Sequence, residues 1–147
     1  MGWFSSIKDK LSSIVVGTAA GEWAVTAMAV MVFADGDAEP EEMEKAKVVA
    51  TTNPVVKNSI GSARGEVLFN DTVEAIKVSP AAMLQTYLTK LDTLAKKIGT
   101  QDDKNFALAA VIAVATADGD VEAPEHVLLE RFKSLLGATM DIPAAKA

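Results

Sequence analysis

Apolar positions recur at helical spacing along most of this 147-residue chain. Residues 3–15 set Phe4, Ile7, Leu11 and Ile14 at steps of three and four, with Lys8, Asp9 and Lys10 between them, which is the stripe of an amphipathic helix. Two later runs, 23–34 and 106–117, are apolar almost all round. That pattern predicts central helices buried on every side. Each is followed by a polar helix opened by a proline, about 40–52 and 124–136, the second stopped by Gly137. Pro54 starts a short helix to residue 62, and 66–78 carries Val67, Leu68, Val73 and Ile76. Ser79-Pro80 reads as the cap and first residue of a long helix reaching Ile98 and closed by Gly99. Asp102 or Asp103 is placed to cap the helix after it. No segment sustains a strand alternation. The pattern predicts an all-α fold of about seven or eight helices in one domain, 1–147.

The chain also repeats itself. Ala-Asp-Gly-Asp-x-Glu occurs at 34–39 and again at 117–122, each time after an apolar run and before a proline and a further glutamate. Asp35 pairs with Asp118 and Glu42 with Glu125, both at a separation of 83; only the proline slips, from Pro40 to Pro124. Identical acidic motifs at one offset predict two related helix–turn–helix units, about 22–52 and 105–137, in a pseudo-twofold fold. In each unit Gly36 or Gly119 supplies the left-handed residue that ends the buried helix. Glu41, Glu42 and Glu125 then fall in the first turn of the next helix, where the dipole favours negative charge.

Composition sharpens this picture at a few points. There is no cysteine, which removes disulfides, thiol nucleophiles and thiolate metal sites. A net charge of −6 argues against nucleic acid as a partner. Segments 35–44 and 118–125 hold ten of the 20 acids and no Lys or Arg, leaving the rest of the chain net positive. Carboxylates held close repel one another, and a hard divalent cation removes that repulsion by direct oxygen coordination. One or two metal sites follow, with Asp35, Asp37, Glu39 and Glu42 in one set and Asp118, Asp120, Glu122 and Glu125 in the other. Calcium is favoured over magnesium. An EF-hand does not fit, because loop positions 6 and 12 hold Pro40 and Ala46 in the first copy and Ala123 and Leu129 in the second. The alternative is that these acids are solvated caps and dipole partners. His126 has no second imidazole or thiol near it in sequence and reads as a packing or surface residue. No phosphate-binding glycine loop and no nucleophile–base set is present, so the chain reads as non-enzymatic.

The apolar stretch 14–34 is interrupted by Gly17, Gly21 and Glu22, so a buried helix is expected there rather than a membrane span. No signal peptide is recognisable at the N-terminus, whereas Gly2 and Ser6 formally match the myristoylation pattern. Residues 3–15 either pack as a first helix or lie on a membrane surface through Trp3, Phe4 and the two lysines. The spacings Gly17-x-x-x-Gly21 and Gly61-x-x-x-Gly65 permit close helix contact.

At these motifs the chain resembles the TerB family of tellurite-resistance proteins. The resemblance lies in the opening Met-Gly-Trp-Phe-x-x-Ile-Lys-Asp-Lys-Leu and in the paired Ala34-Asp35-Gly36…Glu42 and Ala117-Asp118-Gly119…Glu125. Residues 55–100 match only in helical character. The resemblance implies a compact helical fold with pseudo-twofold halves and acidic metal positions at Asp35, Glu42, Asp118 and Glu125. It also implies a cytoplasmic stress-response protein acting beside TerC-like membrane proteins and TerD-like proteins. Asp37, Glu39, Asp120 and Glu122 are acids beyond that pattern. TerB-like domains also occur in phage genomes and in fusions, which leaves a structural or interaction role open.

Overall fold

A computed structural model describes residues 16–34, 39–117 and 119–145. The expected first helix over 3–15 lies outside the described residues, as do Asp35, Asp37 and Asp118. Among the described residues there are seven helices and no strand. They are α1 (Thr18–Met31), α2 (Pro40–Thr52), α3 (Pro54–Ser59), α4 (Ser62–Val78), α5 (Pro80–Ala95), α6 (Gln101–Ala115) and α7 (Ala123–Leu136).

Helix α1 is the axis of the bundle. Eleven of its 14 residues are buried, as expected for a helix apolar all round. It packs chiefly against α6, α4, α5 and α3 and also touches α2 and α7. Trp23 shows how tightly this axis is held. Its ring is fully buried, its Nε1–H donates to the Leu91 carbonyl of α5 at 3.1 Å, and it meets Phe132 of α7 edge-on at 5.4 Å. The indole hydrogen bond is needed, because a buried donor without a partner is costly.

The start of α1 depends on residues distant in sequence. Its N-cap, Gly17, has no side chain to cap with. Asp103 Oδ2 accepts from the Gly17 N–H at 3.1 Å. Ser59 Oγ accepts from the Gly21 N–H at 3.0 Å and its hydroxyl donates to the Gly17 carbonyl at 2.6 Å. The Asp103 contact satisfies an N–H that the helix terminus leaves open, and the Ser59 hydroxyl braces the first turn at Gly17 and Gly21. They also explain Gly21: a Cβ there would overlap the Ser59 side chain, and one at Gly65 would press on Val56.

Several boundaries differ from the pattern. Helix α1 begins five residues before 23 and ends at Met31, and α6 begins at Gln101 and ends at Ala115. The Asp-Gly pair therefore does not end the buried helices; Val32 and Thr116 do, as right-handed C-cap and near-helical turn residues. Gly119, at φ +98°, turns the loop beyond. Thr100, rather than Asp102 or Asp103, caps α6, accepting from the Asp103 N–H at 3.1 Å. Ser79 precedes Pro80 at the N-cap of α5 but makes no cap bond with its side chain. That helix stops at Ala95, with Ile98 buried just beyond it. Helix α4 starts at Ser62, four residues before 66.

Candidate acidic cleft

The two helix pairs begin in register. Helices α1 and α6 start at 18 and 101, and α2 and α7 at 40 and 123, a separation of 83 in both cases. Their N-caps, Glu39 and Glu122, carry the same spacing. Glu42 and Glu125 are consequently both the third residue of a helix, with Pro40 first in α2 and Pro124 second in α7.

Packing of α1 against α6 brings these two starts together. Glu42 and Glu125 line one pocket of about 60 Å³, with Met31, Val32 and Val114 as apolar wall and Lys45 also lining it. A wider cleft of about 390 Å³ shares Glu42 and Glu125 and adds Glu122, Pro124 and Ala34. The sequence divides the eight acids into one set per unit. The cleft draws instead on both units, taking Glu42 from one and Glu122 and Glu125 from the other. Glu39 and Asp120 are exposed and do not line it. Among the described residues no three acids or imidazoles gather closely enough to form a metal cage. Asp35, Asp37 and Asp118, the other expected ligands, lie outside the described residues.

The two helix starts differ in what their N-cap glutamates do. Glu122 and Glu125 form a capping box: the Glu122 side chain accepts from the backbone N–H of Glu125, and Glu125 Oε1 accepts from the Glu122 N–H at 2.9 Å. This satisfies two helix-end donors reciprocally. At α2 the N-cap Glu39 makes no side-chain cap bond. The donor set in the cleft is all carboxylate oxygen, which suits a hard cation such as calcium. The space of about 60 Å³ is open to water-sized groups.

His126 does not line the cleft. Its Nδ1 lies 2.9 Å from the Pro143 carbonyl oxygen and its Nε2 2.9 Å from Glu130 Oε1. It thereby fastens the C-terminal segment, which is also tied by Asn105, accepting from the N–H groups of Thr139 and Met140, and by Gln101, donating to the Gly137 carbonyl. Lys45 is the cleft residue that the acidic-segment count missed. It sits one residue beyond 44, and its three-residue spacing from Glu42 is the signal that reveals it.

No family model matches the chain, and neither a curated protein nor a solved structure is found to be similar to it. Fold and cleft together define an all-helical bundle with glutamates from two helix pairs facing one concavity. None of the described helices is long and apolar enough to cross a membrane.

Proposed function

We propose that this chain is a non-enzymatic, divalent-cation-binding helical protein of TerB type. In this reading it is a tellurite or general stress-response accessory that acts with protein partners near the inner face of the membrane. The observation that carries the reading is that Glu42 and Glu125, at equivalent positions 83 residues apart, line the same pocket. The common spacing of helix starts supports descent of the two pairs from one duplicated unit. A cation shared by the two carboxylates would tie the first turn of α2 to that of α7. Asp35 and Asp118 are the further ligands in this proposal, and Asp37, Glu39, Asp120 and Glu122 raise the local negative potential. Calcium, with its flexible oxygen coordination, is the favoured ion.

Calorimetric titration with calcium tests this on the full chain and on a variant with Asp35, Glu42, Asp118 and Glu125 changed to Ala. The reading expects binding heat from the first and none from the second; equal heats contradict it.

A second reading, an interaction or structural module, draws on the outward-facing acids. Glu39 and Asp120 are exposed, and they suit a basic protein surface without metal. A melting temperature unmoved by calcium or chelator, with partner binding that weakens in salt, favours it.

A further inference from the structure

An apolar groove of about 180 Å³ opens between α5 and α7, away from the glutamates. Val30 and Phe33, at and just past the end of α1, form its floor; Leu84 and Leu88 of α5 and Val127 and Leu128 of α7 form its walls. Val127 is 68 % exposed, and the three leucines are only partly buried. Apolar side chains gathered around a hollow, unlike scattered single ones, mark a binding surface. Among the described residues no acid lines the groove, and Arg131 is its charged lining residue. It therefore suits an apolar stripe rather than a cation or a basic peptide. The groove also has a direction. Trp23 meets Leu91 and Phe132, whereas Val30, further along α1, shares the groove with Leu88 and Leu128, which come earlier in α5 and α7. Both helices thus run antiparallel to α1, and the seam between them follows its axis.

We propose that this groove is the docking seat of the chain's own segment 3–15, with Phe4 as the anchor. The sequence of that segment carries the stripe Phe4, Ile7, Leu11 and Ile14. Gly17 is extended, at φ −60° and ψ 147°, so the chain before it leaves the line of α1. Phe4 precedes Gly17 by the same number of residues by which Val30 follows it. At 1.5 Å per helical residue both spans come to about 20 Å. Folded back as a helix along α1, the segment brings Phe4 level with Val30 and lays Ile7, Leu11 and Ile14 along the seam behind it. Lys8 and Lys10 flank the stripe and Asp9 lies opposite, towards water. The occupant is tethered, so its occupancy does not depend on protein concentration. The inference is independent of the cation-binding reading.

The chain has no cysteine, so introduced thiols report on themselves alone. Ser5→Cys leaves the stripe intact and is combined either with Val127→Cys on the groove rim or with Val48→Cys, an exposed position of α2. Both full-length variants are oxidised mildly, and linkage is read by intact mass and non-reducing gels. The pair with Val127→Cys is expected to close within one chain about tenfold faster or more, because a disulfide needs Cα atoms within about 7 Å. Equal rates, or no closure of either pair, overturn the proposal. A link between two chains overturns it in favour of a second copy's segment in the groove. Melting of Phe4→Ala, Leu88→Ala and the double variant is the second measurement. Each single change is expected to lower the melting temperature by about 2–4 °C. The double variant is expected to fall little below Leu88→Ala, since a shared contact is non-additive; fully additive shifts overturn the seating of Phe4.

Discussion

The two helix pairs share a motif and differ in what the motif does locally. In α6–α7 the second glutamate of the motif is bound back to its own helix, through Glu125 Oε1 and the Glu122 N–H. In α1–α2 the N-cap Glu39 makes no side-chain cap bond. The pair around α7 ends on Gly137 in the left-handed conformation, at φ +71°, while α2 runs through Asn53 into α3. Only the first pair contains the bundle axis. The comparison teaches that equivalent sequence positions can carry different shares of structural and binding work. Glu125 holds a helix start as well as lining the cleft, whereas at the matching start of α2 the N-cap carboxylate of Glu39 makes no side-chain cap bond.

The largest expected effect separates the two buried helices. Trp23 and Phe106 stand 83 apart, and both are buried. Truncating either to Ala leaves a core cavity costing about 3–5 kcal/mol. Trp23→Ala is expected at the upper end, because it also strips the Leu91 carbonyl of its indole donor and Phe132 of its edge contact. Chemical denaturation measures both; equal losses break the asymmetry between the helices. Next comes Gly21→Ala, where the added methyl meets Ser59. Overpacking of this kind costs about 1–3 kcal/mol, and pairing it with Ser59→Gly, which clears the space, is expected to restore part of the loss.

Smaller effects sharpen the contrast between the two glutamates. In chelator, Glu122→Ala and Glu125→Ala each remove one arm of the capping box and are expected to cost about 0.5–2 kcal/mol. Glu39→Ala, which removes no cap bond, is expected to change stability by less than about 0.5 kcal/mol. Urea unfolding curves distinguish these, and a Glu39 loss as large as that of Glu122 places the two helix starts on the same footing.

Much of the fold is legible in the sequence, and the reasons are local. All-round apolar runs mark α1 and α6, prolines mark the starts of α2, α3 and α5, and Gly137 marks the end of α7. The errors fall where distant residues intervene. Gly17 and Gly21 read as interruptions, yet α1 passes through Gly21, with Asp103 capping the Gly17 N–H and Ser59 bracing the first turn from elsewhere in the chain. The candidate site is less legible. Acid spacing points to Glu42 and Glu125 as one residue per set and leaves open whether the sets meet; the packing of the helices puts both in the lining of one pocket. Lys45 lies just past the acidic run, where acid spacing does not point to it.

The central claim is that Glu42 and Glu125 hold one cation between them. Calcium affinity measured by calorimetry on Glu42→Gln, Glu125→Gln and the double variant tests it most directly, since a shared ligand set is non-additive. The account predicts that each single change removes most of the binding and that the double variant loses little more. Two full sets of calcium heat, each abolished by only one of the substitutions, or binding untouched by both, would contradict it.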